Sequence, residues 1–226
     1  MIPLKDDNPT RTFPAVTLGI IGLNILFFLY EIGLSPAQRE TFFYQLGAIP
    51  FEITHLVPLS PQKAIPLPAS LFTAMFVHGG FVHLAGNMLY LWVFGNNIED
   101  ALGHGKFIAF YFLVGLIASF SHILSAPDSP VPMVGASGAI AGILGAYVYL
   151  FPRARIRTLV IFFFFISIVR IPAILVLGVW FLVQILNAGG GGGVAWYAHI
   201  GGFLAGLFLI IGFSRRRGFR RPSAWE

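Results

Sequence analysis

Six long apolar stretches leave this sequence few ways to fold. An α-helix rises about 1.5 Å per residue, so roughly 20 apolar residues cross the hydrocarbon core of a bilayer. Of the 226 residues, 57% are hydrophobic and only 10% are charged, which excludes a soluble domain of this size. The sequence therefore predicts an all-α polytopic membrane bundle, a single domain over residues 1–226 with its core at about 13–213. Its six predicted transmembrane helices are Phe13–Leu34, Phe81–Ile98, Phe107–Leu124, Ser137–Phe151, Pro172–Asn187 and Tyr197–Phe213.

The distribution of basic residues predicts how these helices are oriented. With six spans and the N-terminus inside, only Arg39 and Lys63 among the 14 lysines and arginines fall outside, as the positive-inside rule requires. A seventh apolar run, Ile156–Ile171, is short for a span and contains phenylalanine and β-branched residues, so we interpret it as an interfacial or re-entrant segment. We expect a multi-pass protein of the cell membrane (the inner membrane in a Gram-negative bacterium), with a cytoplasmic N-terminal segment (1–12) and a basic cytoplasmic tail (214–226).

Three polar side chains share one depth in the predicted helices. Each lies 16 residues before a charged residue that marks the cytoplasmic end of a span: Ser137 before Arg153, His199 before Arg215, and His83 before Glu99. That spacing is roughly 24 Å of helix, so all three lie several ångströms below the outer surface. Asn87 follows His83 one turn deeper on the same helix face. Polar groups are costly in hydrocarbon, so this coincidence predicts a site rather than separate helix caps or interhelical hydrogen bonds.

The residue types of this layer suit nucleophilic catalysis. A serine nucleophile needs a base within hydrogen-bond reach, and an imidazole supplies one near neutral pH. Ser137 begins a predicted helix, where free backbone N–H groups and the positive end of the dipole favour an oxyanion. His83 and Asn87 can both donate further hydrogen bonds to an oxyanion. We therefore predict that Ser137 and His199 form a nucleophile–base pair.

Glycines around the two predicted catalytic residues favour close approach of backbones. Gly135 and Gly138 permit a tight turn on either side of the serine. Gly138 with Gly142, and Gly202 with Gly206, form small-xxx-small faces on two different spans. Such faces are predicted to pack together and to bring His199 to Ser137.

The residues that are missing exclude other chemistries. None of the nine acidic residues is placed in the layer, so the residues predict a dyad without an acidic third member. Cysteine is absent, buried aspartate pairs are absent, and there is no His-Glu-x-x-His motif. A metal held by His78, His83 and His199, and a channel lined by polar side chains, stay as minor alternatives. We expect no cofactor and no metal. We also expect no nucleic-acid partner, because the basic residues cluster at the ends of apolar segments.

Three motifs resemble those of the rhomboid intramembrane serine proteases in their basic six-span form. They are Gly-Ala-Ser-Gly at 135–138, His-Gly-Gly-Phe-Val-His-Leu-Ala-Gly-Asn at 78–87, and Ala-His-Ile-Gly-Gly-Phe-Leu-Ala-Gly at 198–206. The resemblance implies an endopeptidase that cleaves transmembrane segments of membrane proteins in the lipid bilayer. It implies roles for the following residues: Ser137 as nucleophile, His199 as general base, His83 and Asn87 (with the Ser137 amide) as oxyanion donors, His78 as a supporting residue, and Glu99 as a structural glutamate. For Glu99, an exposed interfacial anchor stays open as the alternative.

The sequence also departs from the pattern of some family members. Ala69-Ser70 stands where a Trp-Arg pair occurs in the first outer loop, and Ala141 stands where a tyrosine packs on the catalytic histidine. Something else must therefore orient His199, and the candidates are Tyr147, Trp196 and Tyr197. The glycine run 189–193 is a candidate for a movable lid. A catalytically inactive relative that binds transmembrane segments is the alternative function, and the oligomeric state is left open.

Overall fold

The computed structural model describes residues 1–60, 63–162, 165–190 and 193–214. Most of these residues are helical, and a small antiparallel sheet accompanies the helices. The helices are α1 (Ala15–Ile32), α2 (Pro36–Leu46), α3 (Pro50–His55), α4 (Leu67–Thr73), α5 (Phe81–Tyr90), α6 (Asn96–Leu102), α7 (His104–Ser125), α8 (Ser137–Leu150), α9 (Ala173–Leu186) and α10 (Trp196–Ser214). A 3₁₀ turn (Ala74–Phe76) follows α4, and a π-helical segment (Leu91–Gly95) joins α5 to α6 without a break.

Each of the six predicted spans is helical in the structure. By length and composition, three helices can cross a membrane, namely α1, α7 and α10. The stretch from α4 through α6 adds a fourth if Leu67–Phe76 and Phe81–Leu102, which meet at 83°, count as one bent span. The apolar helices α8 and α9 are shorter. The described residues thus give three or four candidate spans, and the number six stays a prediction.

The sheet corrects the expectation of an all-α fold. Strands β1 (Ile2–Asp6), β2 (Arg155–Phe162) and β3 (Phe165–Pro172) pair in that order, antiparallel throughout. Strands β2 and β3 thus pair as a β-hairpin, and the predicted N-terminal segment supplies the third strand. The interfacial or re-entrant position of the run 156–171 in the membrane stays a prediction. β-Branched residues favour this pleated structure. The run's central residues, 163–164, lie outside the described part of the chain, as does the basic tail from residue 215 onward.

Helix α8 lies at the centre of the bundle. Nine of its 14 residues are buried, from Ala139 to Tyr147. It packs against α10 with almost no side chain between the backbones, because a Cβ at Gly202 would overlap the Gly138 carbonyl and a Cβ at Gly206 would overlap Gly142. The predicted small-xxx-small contact is therefore present, and it sets the register of α8 against α10.

A buried glutamate joins α6 to the start of α1. Glu99 is 0% exposed, and its two oxygens accept hydrogen bonds from the Val16 N–H (2.9 Å), the Thr17 N–H (2.7 Å) and the Thr17 hydroxyl (2.6 Å). The His104 Nδ1 lies 2.5 Å from Oε1, the oxygen that also accepts from the Val16 N–H. The first N–H groups of a helix have no partner within it, so Glu99 satisfies those of α1. This burial excludes the exposed-anchor interpretation.

The N-terminal segment is held by a second buried acid. Asp6 accepts hydrogen bonds from the Asn97 amide (2.6 Å) and the Tyr147 hydroxyl (2.8 Å), and Asn8 donates to Asn97 at 2.6 Å. Burial raises the pKa of Asp6 to about 6. Tyr147 therefore points to β1 and away from His199, so it does not orient that histidine.

Candidate active site

Ser137 is the first residue of α8, and a constrained turn delivers the chain to it. Gly135 has φ +121°, a left-handed value that disfavours other residues. Its N–H donates to the Ala74 carbonyl (2.8 Å), and a Cβ here would lie 2.8 Å from the His83 ring. A glycine is required by both conformation and space. The turn leaves the Ser137 side chain partly exposed at the start of the helix.

The α8–α10 contact brings the two predicted catalytic residues together. The Ser137 Oγ lies 2.8 Å from the His199 Nε2. At Gly138 a Cβ would lie 2.8 Å from the Ala118 Cβ, so α7 also approaches closely here. A cavity of about 20 Å³ lies beside the serine, and its walls include Met75, Ser119 and Met133. That volume is enough for one water molecule.

His83 and Asn87 lie next to the turn that precedes the serine. The Asn87 Nδ2 is 3.6 Å from the Cβ position of Gly135, slightly farther than the His83 ring. The same amide donates to the Nε2 of His78 at 2.9 Å, and the His78 ring packs edge-on against His83 with centroids 5.1 Å apart. His78 is fully buried. It therefore supports the other two side chains from behind.

An acidic residue lies closer to this layer than the sequence suggested. Glu31, at the end of α1, is 1% exposed, and its Oε2 accepts a long hydrogen bond (3.4 Å) from the His78 backbone N–H. This hydrogen bond reaches the backbone of His78 and none of the four side chains in the predicted layer, so the prediction of a dyad without an acidic third member stays a prediction. Glu31 contacts His78, whereas the side-chain hydrogen bonds of His199 go to Ser137 and to Gln184.

Gln184 of α9 occupies the far side of the His199 ring. Its Oε1 lies 2.8 Å from the His199 Nδ1, and its Nε2 donates to the Trp180 carbonyl at 2.8 Å. The Trp180 and Trp196 rings flank the imidazole, with centroids 5.8 and 6.2 Å away. Both ring nitrogens of His199 thus have protein partners, which argues against the metal alternative. Over the described ranges, no group of three or more potential ligand side chains could hold a metal ion.

Comparison with known proteins identifies the family of this chain. The sequence model described as the rhomboid domain matches residues 68–216. The chain belongs to the rhomboid family. It is 32% identical over 207 residues to the rhomboid protease GluP of Bacillus subtilis (strain 168). The alignment covers 90% of this chain and 35% of the relative. The family resemblance of the three motifs is confirmed, and the chain is a membrane protein with protease relatives.

Other relatives come from eukaryotes. RHOMBOID-like protein 5 of Arabidopsis thaliana is 32% identical over 148 residues, covering 62% of this chain and 42% of the relative. Rhomboid protein 1, mitochondrial, of Saccharomyces cerevisiae is 34% identical over 149 residues, covering 61% of this chain and 40% of the relative. The chain therefore matches less than half the length of each of these three relatives.

In this rhomboid, the sequence predicted the Ser137 and Trp196 contacts of His199 but not its hydrogen bond to Gln184. Among the proposed orienting residues, Trp196 contacts the ring edge-on. Tyr147 bonds Asp6 instead, and Tyr197 has no hydrogen bond or ring contact with His199 among the described residues. Gln184 was the available signal, because it is the one amide in the apolar helix α9. The proposed lid at 189–193 includes residues 191–192, which lie outside the described ranges.

Proposed function

We propose that this rhomboid is an intramembrane serine endopeptidase in which Ser137 is the nucleophile and His199 the general base. The observation that carries the proposal is the 2.8 Å distance between the Ser137 Oγ and the His199 Nε2, on two apolar helices whose glycine faces fix their register. A hydroxyl that donates to an imidazole nitrogen at this distance is poised for deprotonation.

The reaction follows from the direction of that hydrogen bond. As the Ser137 Oγ attacks the substrate carbonyl carbon, its proton passes to the His199 Nε2 and the carbonyl oxygen becomes an oxyanion. The imidazolium then donates the proton to the leaving amine, and an acyl-enzyme remains. A water molecule, for which the adjacent cavity has room, gives its proton to the same nitrogen as it attacks the ester. The bond between the carbonyl carbon and the Ser137 Oγ then breaks, and the imidazolium returns the proton to the Oγ, so the acid product leaves and the enzyme is restored.

Three groups are proposed to stabilise the oxyanion. The Ser137 N–H is at the start of α8, where no earlier turn of the helix accepts it. The Asn87 amide gives one N–H to His78 and keeps its second for the oxyanion. His83 is exposed on the same side of the turn at Gly135. Donors held in place before the reaction lose nothing to reorganisation, which makes this contribution large.

The proposed substrates are transmembrane segments of other membrane proteins. Ser137 begins a helix within an apolar bundle. In the proposed reaction, a substrate helix enters sideways from the bilayer, partly unwinds and presents a carbonyl to this serine. The relative GluP is itself named a protease. We extend the proposal to six spans in the cell membrane, both termini in the cytoplasm and a single domain over residues 1–226.

A serine-reactive fluorophosphonate tests nucleophile and base without a known substrate. The full chain in lipid nanodiscs should be labelled, and Ser137→Ala should abolish labelling. His199→Ala should slow it by about 1000-fold or more, because the hydroxyl then lacks its base. Ser125→Ala is the matched control, since its hydroxyl bonds the His122 carbonyl in its own helix.

Cleavage of a reporter protein with one transmembrane segment should follow the same order among the variants. Labelling of Ser137→Ala at the wild-type rate would overturn the assignment of the nucleophile. A wild-type protein that binds the reporter but is neither labelled nor active would instead be a non-catalytic relative that binds transmembrane segments.

A further inference from the structure

Helix α9 turns a single face inward, and that face ends in a buried amide. The buried residues of α9 are Ala173, Val176, Leu177 and Gln184, and Gln184 is 5% exposed. The rest of the helix is apolar and mostly exposed at the bundle surface. An amide in such a position is costly unless its hydrogen bonds are made. Here they are made to Trp180 and to His199.

The Trp180 contact fixes which way round the amide lies. A backbone carbonyl only accepts hydrogen bonds, so the atom facing the Trp180 oxygen must be the donor Nε2 of Gln184. The acceptor Oε1 then faces the His199 Nδ1 at 2.8 Å. Because Oε1 cannot donate, the Nδ1 must carry a proton. The neutral imidazole therefore has its lone pair on Nε2, the atom that faces the Ser137 hydroxyl.

We propose that Gln184 is a positioning residue, whose Oε1 holds His199 in the tautomer that can accept the Ser137 proton. This inference rests on the proposed function of Ser137 and His199. Gln184 touches neither the serine nor the reacting atoms, and it acts through the imidazole alone. When Nε2 takes the serine proton, the same Oε1 accepts from the imidazolium Nδ1–H, so ring orientation is kept through the reaction. A neutral amide thereby takes the place that an acid occupies in a Ser–His–Asp triad.

Two substitutions separate the hydrogen bond from the space that Gln184 fills. Gln184→Met has a similar size and no strong acceptor, so it should lower the fluorophosphonate labelling rate by about 10- to 100-fold. Gln184→Glu keeps an acceptor, so it should retain labelling near neutral pH. Where this carboxyl group is ionised it stabilises the imidazolium, and the acid limb of the pH–rate profile moves to higher pH. Where it is protonated it donates to the Trp180 carbonyl as the amide does, and the profile keeps its place. The imidazoles of His83 and His122, which interact electrostatically with His199, are present in both variants.

The matched control is Asn187→Leu at the end of the same helix. Its side chain bonds the Val183 carbonyl, as the Gln184 Nε2 bonds that of Trp180, but it is exposed and makes no contact with His199. This variant should label at the wild-type rate with an unchanged pH profile. A general loosening of α9 would slow the labelling of both Gln184→Met and Asn187→Leu. Loss of the His199 tautomer would slow only the labelling of Gln184→Met.

Nitrogen NMR of the histidine rings provides a readout that does not depend on activity. In ¹⁵N-histidine protein carrying Ser137→Ala, the His199 signal, assigned by its loss in His199→Gln, should show a protonated Nδ1 and an unprotonated Nε2. With Gln184→Met added, the two tautomers should mix. An unchanged tautomer, or unchanged labelling kinetics in folded Gln184→Met, would overturn the inference. If Gln184→Met does not fold, loss of labelling in folded Gln184→Glu, which keeps the acceptor, overturns it instead.

These outcomes are distinguishable from failure of the proposed function. If Ser137→Ala is labelled like the wild type, the nucleophile is wrong whatever Gln184 does. If labelling requires both Ser137 and His199 but is indifferent to Gln184, the proposed function stands and only the positioning role is lost.

Discussion

The bundle contains two clusters of hydrogen-bonded polar side chains, and they differ in how accessible their polar groups are. At one end of the helices, Asp6, Asn97 and Glu99 are buried among helix ends and the sheet. At the other, Ser137 and His199 meet beside His83. Each cluster joins elements distant in the chain through side-chain hydrogen bonds of 2.5–2.9 Å. The difference lies in what their partners are.

In the cluster around Glu99, the carboxylate oxygens accept hydrogen bonds from backbone N–H groups, hydroxyls and an amide. The Glu99 carboxylate serves the first turn of α1, and Asp6 serves Asn97 and Tyr147. Such a cluster closes the structure and leaves little capacity for a ligand. Around Ser137, in contrast, the side chain is partly exposed and its proton faces a base. Buried nitrogens without a described partner also lie nearby, on His78 (Nδ1) and Trp196 (Nε1). Buried polar groups thus close the hydrogen bonding in one region, whereas in the other they surround a partly exposed serine for which we propose a catalytic role.

The largest effect that separates the two regions is expected from Glu99→Gln. The substitution keeps the shape but turns one oxygen into a donor that faces other donors. It should lower the free energy of unfolding by about 2–4 kcal/mol, while the labelling rate per folded molecule changes little. Thermal unfolding and fluorophosphonate labelling on the same preparation measure the two quantities.

Asp100→Asn is the control for Glu99→Gln. This neighbouring acid accepts from Thr12 and Arg11 at a more exposed position, so its substitution should change stability by about 1 kcal/mol or less. Lost labelling with unaltered stability in Glu99→Gln would show that the cluster around Glu99 takes part in function, and the comparison would fail.

A smaller effect is expected where α8 and α10 connect the two regions. In Gly206→Ala the new Cβ would overlap the backbone of Gly142, which cannot move aside as a flexible side chain does. We expect a loss of about 1–3 kcal/mol in stability. Because the same contact sets the distance between Ser137 and His199, labelling should slow as well. The matched control is Gly212→Ala on the same helix, where a Cβ would meet nothing within 4 Å. Equal behaviour of the two variants would mean that the glycine contact does not hold the site.

The helices were predictable from sequence because each apolar stretch is long and bounded by charges or turns. The hairpin β2–β3 was not, since a short apolar run with β-branched residues is compatible with several structures. Its pairing with β1 joins residues more than 150 positions apart, such as Ile2 and Leu159. Nothing local in the sequence encodes that partner, so only the folded chain reveals the third strand.

The site shows the same division between local pattern and distant geometry. Small-xxx-small faces and a shared depth predicted that Ser137 lies near His199. The first signal repeats along a helix face, and the second is a count of residues along the helix, so both can be obtained from the sequence alone. Gln184 carries no periodic signal, and its role depends on the rotation of α9 and on the direction of one amide. Glu31 was likewise missed, because counting from the charged ends of other spans says nothing about which residue of α1 faces His78.

The smallest expected effect concerns the pH dependence of stability at the sheet. The pKa of Asp6 rises from an ordinary value near 3.8 to about 6 in the folded protein, so the folded state binds a proton more tightly than the unfolded state. This contribution to stability is fully present below about pH 4 and is lost as the pH rises through about 6. Asp6→Asn keeps an acceptor oxygen for Tyr147 or Asn97 and removes the titration. The difference in unfolding free energy between pH 4.5 and 7.5 should therefore shrink by about 1–2 kcal/mol in the variant, with labelling unchanged. A variant that instead loses labelling would tie the sheet to the site around Ser137, because Tyr147 belongs to the same helix.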